Sequence, residues 1–198
     1  EFVDGEAVIP VPSLAFDYKP NELMKISGKL SRNFRLPTLN DRFWRPGGNP
    51  ELNPESGWSQ ELTFKHYFGK NKAFSYSATG FHRNIENWIL WSPASDAFYW
   101  SASNVASVRS RGLEFRLQGE ARIKTLEIKF SGGYDYIIST PEVAAEISGM
   151  REGEQLLYTP RQTVLASVSL RFKGLELNCT HRFVDETRGV NGAISEFQ

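Results

Sequence analysis

Hydrophobic and polar residues alternate along most of the chain. In the segment LTFKHYF, Leu62, Phe64 and Phe68 fall on one side, and Thr63 and Lys65 fall on the other. The same period of two recurs in LMKISGKLSR, GLEFRLQGE, TLEIKFSGGYDY, TVLASVSLRF and LELNCTHRF. Such alternation is typical of β-strands with one apolar face, and helical spacing is nearly absent. The pattern therefore predicts an all-β chain.

The alternating segments divide into about eight strands separated by polar or Gly/Pro-containing connections. The predicted strands are 8–18, 22–34, 58–68, 73–91, 97–119, 124–138, 161–172 and 175–184. Tight connections are predicted at 19–21, 69–72, 120–123 and 173–174, a short hairpin loop near 92–96, and long connections at 35–57 and 139–160. In an antiparallel up-and-down meander every second connection lies at the same end, so all the tight turns fall at one end and the longer loops at the other.

This sorting of the loops favours a membrane barrel over a soluble β-sandwich, which is the alternative. Outer-membrane barrels have short periplasmic turns and long extracellular loops, whereas a sandwich has no reason to sort them. Two predicted strands of ~20 residues would reach ~60 Å, although ~10 residues suffice to cross a bilayer. The aromatic residues Tyr67, Phe68, Phe74 and Phe172 lie next to tight turns, as an interfacial girdle would.

Charge and cysteine content exclude several classes of protein. Lys plus Arg and Asp plus Glu both number 23, which argues against a nucleic-acid partner, because binding phosphates requires a basic surplus. The single cysteine, Cys179, permits neither an internal disulfide nor a cysteine-based zinc site. The first residues, EFVDGEAVIP, have no basic segment followed by an apolar one, so no signal peptide is predicted.

No catalytic or metal site is predicted. His66, His82 and His181 lie in strands without a matching Ser or Cys signature, and packing is favoured over metal ligation. Cys179 shares a face with Leu177 and is expected to pack or to face lipid rather than to react. Glu61 lies on the polar side, where we expect a network with one of three basic residues rather than a cation site. These residues are Lys25, Lys29 and Arg116.

Aromatic and basic residues at the long-loop end are the best candidates for ligand binding. The candidate extracellular substrate contacts are Arg42, Trp44, Arg45, Trp88, Trp91, Tyr99 and Trp100. Rigid aromatic faces stack on flat or cyclic substrates, and the arginines suit carboxylates or phosphates. The alternative is that the tryptophans only stiffen paired strands above the membrane.

Three segments carry a family resemblance. FRLPTLNDRFWRPGGNPELNPESGWSQELTF resembles the barrel motif of TonB-dependent outer-membrane receptors. The matching residues are Arg35, Pro37, Leu39, Gly48, Asn49, Pro50, Leu52, Pro54, Glu55 and Glu61. FHRNIENWILW and SNVASVRSRGLEFRL resemble two later segments of the family, the latter through Asn104, Gly112, Leu113 and Glu114. The resemblance covers nearly the whole chain and is closest to cobalamin- and siderophore-type receptors.

The resemblance implies a fold, a location and partners. Such receptors have a plug domain, a segment that contacts TonB and a barrel of about 22 strands. We therefore expect residues 1–198 to be a partial barrel domain, an open curved sheet without the plug or the closing C-terminal strand. Its unpaired edges are expected to self-associate.

The implied function is that of part of a Gram-negative outer-membrane transporter, without enzymatic activity or cofactor. The transporter would import an iron-siderophore or cobalamin substrate with energy delivered by the TonB complex through the missing N-terminal part. Outer-membrane lipid and the chelate or vitamin substrate are the other implied partners. The alternative is a non-transporting secreted or surface β-rich binding or adhesion module.

Overall fold

The alternating segments form strands in the computed structural model, which describes residues 9–93, 98–142, 152–188 and 194–195. In chain order the elements are β1 (Ser13–Asn21), β2 (Met24–Arg35), α1 (Leu39–Phe43), β3 (Glu55–Phe68), β4 (Phe74–Pro93), β5 (Trp100–Ile123), β6 (Leu126–Pro141), β7 (Gln162–Phe172), β8 (Leu175–Val184), β9 (Thr187–Arg188) and β10 (Ile194–Ser195). A 3-10 turn, Lys70–Lys72, joins β3 to β4. None of the described residues form a helix long and apolar enough to cross a membrane.

Strands β1 to β8 form one antiparallel sheet in which each strand pairs with the next along the chain. This confirms the predicted all-β meander of eight strands. The two edge strands are β1 and β8, and no pairing joins them within the described residues, so the sheet is open. Strands β9 and β10 form a separate two-stranded sheet.

The strand register places the alternating residues on two chemically different faces. One row across the sheet joins Asp17, Ser27, Thr63, Thr79, Glu114, Asp135 and Thr163 and belongs to what we call the polar face. A second row, three residues further along each strand, joins Met24, His66, Tyr76, Leu117, Gly132, Ala166 and His181 and belongs to the apolar face. A lipid-facing and a lumen-facing side are what a membrane barrel requires.

Little of the chain is enclosed in a core. The accessible surface is 14188 Å² for a chain of 22.5 kDa, whereas a compact monomer of that mass exposes about 9,500 Å². The buried hydrophobic residues that form the core, among those described, are Leu52, Phe81, Ile89, Ala102, Val108 and Leu156. Five of them form two small clusters at the long-loop end. The sheet is therefore open and encloses little core, as expected of a segment of a barrel wall.

Two of the four predicted tight turns are confirmed and two are displaced. The connections at 69–73 and at Lys173–Gly174 lie where the sequence predicts them. The first turn is at Glu22–Leu23 rather than 19–21, because Pro20 is tolerated in the edge strand β1. The third is at 124–125 rather than 120–123, because β5 and β6 stay paired as far as Ile123, opposite Leu126.

Most other strand ends follow the prediction closely, but β1 begins at Ser13, because the described residues 9–12 are not in a strand, contrary to the predicted strand 8–18. Strands β4 and β5 contain 20 and 24 residues, which confirms the two long strands. The predicted starts at residues 8 and 97 lie outside the described residues. Strand β3 begins at Glu55, three residues before the predicted start, because Glu55 pairs with Arg35 at the end of β2.

Aromatic residues on the apolar face line the tight-turn end. The ring centroids of Phe68 and Phe74 are 5.4 Å apart, and those of Phe74 and Phe130 are 6.0 Å apart. We call these three residues together with Phe172 the aromatic band. Tyr67 is not part of it, contrary to the prediction, because its position in β3 places it on the polar face, where Lys65 lies 4.8 Å from its ring.

Candidate functional site

The long connection between β2 and β3 is an ordered excursion, residues 36–54, built around the short helix α1. Thr38 caps this helix: its hydroxyl accepts a hydrogen bond from the Asp41 N–H, and the Asp41 carboxylate accepts one from the Thr38 N–H. Such a reciprocal capping box fixes the first turn of a helix. The Gly48 N–H then donates to the Trp44 carbonyl at 2.7 Å and turns the chain back towards β3.

Asp41 joins this excursion to the distant strand β4. It is 7% exposed, and its carboxylate accepts a hydrogen bond from the Trp91 indole N–H at 2.9 Å. The Arg35 guanidinium lies 3.5 Å from the same carboxylate. Burial alone would raise the pKa of Asp41, but the hydrogen bonds from Trp91 and Thr38 and the charge of Arg35 together hold that pKa below its ordinary value.

Two further polar contacts close the base of the excursion. Arg35 and Glu55 form an ion pair at 2.9 Å, and Glu55 also accepts a hydrogen bond from the Ile89 N–H at 2.8 Å. The Asn53 N–H donates to the Asn104 side chain at 2.8 Å, and the Asn104 amide donates back to the Asn53 carbonyl. The excursion is thereby fastened to β4 and β5 by side chains that lie far away in the sequence.

An apolar contact supports these polar ones. Leu52 is 2% exposed and packs with Ile89 and Ala102, and Trp91 packs against the group. The family-motif residues Arg35, Leu52 and Glu55 therefore hold the excursion on the β4–β5 hairpin. This arrangement leaves other side chains of the excursion free to face outwards.

An exposed aromatic surface forms where the excursion meets the beginning of β5. The Gly47 carbonyl accepts a hydrogen bond from the Ala102 N–H at 2.8 Å. A side chain at Gly47 would approach the Trp100 carbonyl oxygen to 1.8 Å, so only glycine permits this contact. The aromatic residues exposed in these adjoining segments are Phe43, Trp44, Phe98, Tyr99 and Trp100, and we call Trp44, Tyr99 and Trp100 the external aromatic patch.

The second long connection also packs against β4 and β5. The Gln155 side chain accepts a hydrogen bond from the Ser139 N–H at 3.0 Å and donates to the Ile137 and Thr159 carbonyls. The adjacent Leu156 is buried against Val108. The partly buried residues around that pair are Trp88, Leu90 and Leu157. The β4–β5 hairpin thus contacts the described residues of both long connections.

The structure separates the seven candidate substrate contacts into two groups. Trp88 and Trp91 each pack against one of the two small buried clusters on the β4–β5 hairpin. The Arg42 guanidinium donates a hydrogen bond to the Leu52 carbonyl at 3.4 Å. These three residues support the frame. The four that remain exposed are Trp44, Arg45, Tyr99 and Trp100. A role of these four in substrate binding stays a prediction.

The polar network around Glu61 differs from the expected one. Glu61 pairs with Arg83 at 2.8 Å, and the Arg83 guanidinium lies over the Phe81 ring at 4.6 Å. Lys29 lies directly opposite Glu61 in the strand register without forming an ion pair with it. The other two predicted partners were wrong, because Lys25 pairs with Asp17 instead and the nearest carboxylates to Arg116 are on β5 and β6. The latter are Glu114 and Asp135.

The remaining titratable residues form no metal site in the part of the chain that the structure describes. There, no group of three His, Cys, Asp or Glu residues is arranged to hold an ion. His66 lies between the rings of Phe68 and Tyr76, with centroid distances of 6.0 Å and 5.4 Å, as expected for a packing histidine. Cys179 is exposed on the apolar face.

The sequence analysis did not predict the short helix α1, although the capping box was a local sequence signal for it. Thr38 and Asp41 have the spacing that begins a helix, so α1 was open to prediction. The partners of Asp41 and Gln155 come from distant strands and leave no local signature.

Comparison with known proteins agrees with this architecture. The family model described as TonB dependent receptor-like, beta-barrel matches residues 6–192. A vitamin B12 transporter BtuB from Photobacterium profundum is 28% identical over 127 residues, which cover 63% of this chain and 20% of the relative. A second BtuB, from Vibrio vulnificus, is 26% identical over 102 residues, covering 52% and 16%.

Solved structures share the fold at low sequence identity. The copper transporter OprC superposes with a TM-score of 0.72 at 12% identity, covering 94% of this chain and 28% of that chain. The siderophore receptor PiuA from Acinetobacter baumannii gives 0.69 at 18% identity, with 94% and 28% covered. The chain thus spans less than a third of the length of each of these relatives.

Proposed function

Since the chain belongs to the TonB-dependent receptor family and forms part of its outer-membrane β-barrel, we propose that the complete protein imports a scarce substrate across the Gram-negative outer membrane. In this proposal the chain supplies a section of barrel wall and part of the external binding surface. Import consists of binding and passage, without a catalysed reaction or a cofactor. The TonB complex supplies energy through parts of the receptor other than residues 1–198.

The observation that supports a binding role is the combination of a fixed frame with an exposed aromatic surface. Asp41, Leu52 and Glu55 hold the excursion on the β4–β5 hairpin. Trp44 and Trp100 are nevertheless 59% and 48% exposed. Large apolar side chains held rigidly in water lose little conformational entropy when a ligand covers them.

The chemistry of the external aromatic patch suits a large, partly flat ligand with acidic groups. Indole and phenol rings stack on conjugated or cyclic surfaces, and Tyr99 and Trp100 also offer polar tips that can hydrogen-bond. The exposed Arg45 adds a planar cation that matches a carboxylate or a phosphate. We propose that Trp44, Arg45, Tyr99 and Trp100 contact the substrate, and that Arg42, Trp88 and Trp91 support them.

The names of the relatives suggest which substrates to test first. We propose a cobalamin or an iron-siderophore, and cobalamin is the first to test because both curated relatives are described as vitamin B12 transporters. The solved structures of similar fold are named as copper, siderophore and iron transporters, so the fold itself does not choose among them.

Uptake by whole cells tests the proposal. A strain that carries the complete gene is compared with its deletion mutant for accumulation of labelled cobalamin and of several labelled ferric siderophores. We expect one substrate to accumulate only when the gene is present. That accumulation should stop when TonB is deleted or when a protonophore collapses the inner-membrane gradient.

Two results would contradict transport. Equal uptake of every substrate by both strains would remove the import role. Uptake that depends on the gene but continues without TonB would indicate a passive pore instead. Binding of cells to a surface or to other cells, lost on deletion, would then support the alternative of an adhesion module.

A further inference from the structure

Lysines occupy the tight-turn end of the sheet. Lys70, Lys124 and Lys173 lie in the three turns that join β3 to β4, β5 to β6 and β7 to β8, and all three are exposed. We call them the lysine rim. Among the described residues, none of the ion pairs at this end includes one of these three lysines. The fourth basic turn residue, Lys72, lies 3.8 Å from Glu22.

Two acidic residues near the rim, Glu127 and Glu176, are paired with arginines, and Glu120, on the polar face of β5, forms no ion pair with any of the three rim lysines. Glu127 lies 3.2 Å from Arg122 and 3.9 Å from Arg171. Arg171 also pairs with Glu176 at 2.8 Å. The register places these four paired residues on the polar face, away from the apolar one. The positive charge of the lysine rim is therefore not neutralised by the wall below it.

The rim borders the aromatic band on the lipid-facing side. Phe68 and Phe74 flank the turn that holds Lys70, and Phe172 directly precedes Lys173. The Lys173 ammonium lies 5.3 Å from the Phe172 ring centroid, within cation–π range. Outer-membrane barrels carry girdles of aromatic residues at both membrane–water interfaces, flanking the apolar band. The lysines are thus placed at headgroup level, beside the membrane and not inside the lumen.

The spacing of the turns suits a row of lipids. Neighbouring strands are about 4.8 Å apart, so successive tight turns, two strands apart, lie roughly 10 Å apart along the rim. Short turns of outer-membrane barrels lie on the periplasmic side. The row of lysines therefore faces the inner leaflet, which consists of phospholipids.

We propose that the lysine rim and the aromatic band together bind the headgroups of anionic phospholipids in the inner leaflet of the outer membrane. Each lysine near an anionic surface favours binding by about fivefold. The phosphate and glycerol of phosphatidylglycerol would meet the lysines, while its acyl chains lie against the aromatic band. The inference rests on the membrane location and is independent of which substrate is imported.

Quenching by brominated lipid tests the proposal in the complete receptor. The variant Phe172→Trp places a fluorescent reporter beside Lys173. Its emission is obtained by subtracting the spectrum of the unsubstituted receptor from that of the variant. The receptor is reconstituted in bilayers that contain dibrominated phosphatidylglycerol or dibrominated phosphatidylcholine. We expect phosphatidylglycerol to be favoured at this site by about fivefold or more, and the preference to weaken in 1 M salt, where the screening length is about 3 Å.

Variants that remove positive charge test whether the rim lysines cause the preference for phosphatidylglycerol. The triple variant K70Q/K124Q/K173Q should abolish the preference, whereas the control K25Q/K65Q on the polar face should keep it. Equal quenching by the two lipids, or a preference that survives the triple variant, would overturn the proposal. Native mass spectrometry without the reporter gives an independent reading: the unsubstituted receptor should retain more phosphatidylglycerol than the triple variant, and equal retention would contradict it.

Discussion

The two ends of the sheet are held together in different ways. At the tight-turn end, each pair of strands is closed by a few residues, such as Lys173 and Gly174, which adopt positive φ angles of 46° and 85°. At the long-loop end, Asp41 contacts a residue 50 positions away, and Asn53 one 51 positions away. One end is closed by neighbours in sequence, and the other by contacts between distant segments.

This difference has a consequence for stability. A local turn costs little chain entropy to close, whereas fixing a long excursion requires specific contacts that offset its ordering. We therefore expect the excursion to open on its own at a lower free energy than the hairpins. A substrate that binds the external aromatic patch would also stabilise the form in which the excursion is docked on the β4–β5 hairpin.

The largest expected effect comes from removing the apolar anchor of the excursion. The variant Leu52→Ala should destabilise its docking by about 2–5 kcal/mol, because the side chain is fully buried against Ile89 and Ala102. Hydrogen exchange of the complete receptor should accelerate by about 30-fold or more in residues 36–54 and remain unchanged in the β7–β8 hairpin.

Leu39→Ala is the matched control, because that leucine lies in the same excursion and is 78% exposed. It should leave exchange nearly unchanged. Faster exchange at both ends of the sheet in Leu52→Ala would show that the two ends unfold as one unit.

A smaller effect is expected from neutralising Asp41. In Asp41→Asn one carboxylate oxygen becomes an amide donor, which cannot accept the Thr38 N–H and no longer attracts Arg35. Loss of such charge-assisted hydrogen bonds should cost about 1.5–3 kcal/mol of docking. Exchange in residues 36–54 reports it, and Glu51→Gln, at an exposed acid of the same excursion, should have no effect.

Lowering the pH should weaken the contact between the Asp41 carboxylate and the Trp91 indole. The folded pKa of Asp41 lies below the ordinary 3.8, so its contribution is complete above that pH and is lost as the pH falls through the folded pKa. The emission of Trp91, taken as the difference between the receptor and Trp91→Phe, should be constant near neutral pH and change as the pH falls below the ordinary 3.8 of an aspartate. If Asp41→Asn shows the same change, another group is responsible.

The tight-turn end can be perturbed separately. Gly174 has a φ of 85° and no atom within 4 Å of an added side chain, so Gly174→Ala introduces backbone strain alone. About 1 kcal/mol of stability should be lost, with faster exchange confined to the β7–β8 hairpin. Gly174→Asn should cost less, since asparagine tolerates this conformation. Loosening of residues 36–54 by either variant would contradict the separation of the two ends.

The smallest effect is expected on the polar face. Glu61 and Arg83 form a pair of which more than a third is exposed, so solvent screening limits its value to about 0.2–1 kcal/mol. The double-mutant cycle of Glu61→Gln and Arg83→Gln measures this coupling in urea unfolding. A coupling above about 2 kcal/mol would place the pair in a drier environment than the open sheet shows.

The same difference explains which features the sequence could predict. Strand alternation and the turns at 69–72 and 173–174 are local, so periodicity and Gly placement were sufficient. The helix α1 carried a local signal in Thr38 and Asp41 that pattern reasoning overlooked. The partners of Asp41 and Glu61 depend on strand register and on the folding back of a long excursion, and neither is written in any short segment.

Among the candidate substrate contacts, the residue types did not reveal which side chains support the frame and which are exposed. Trp91 and Trp100 have the same chemistry and lie nine positions apart. The first is held by Asp41 and the second is exposed. Only the three-dimensional arrangement distinguishes a supporting tryptophan from one that is available to a ligand.

The affinity of the complete receptor for its substrate tests the central claim most directly. We expect Trp100→Ala and Trp44→Ala each to weaken binding by about 10-fold or more, as loss of an aromatic contact does. Trp58→Ala is the matched control, because that tryptophan is 44% exposed but lies on β3, outside the external aromatic patch. Its affinity should be unchanged. Equal affinities in all three variants and the unsubstituted receptor would contradict the assignment of the patch as a substrate-binding surface.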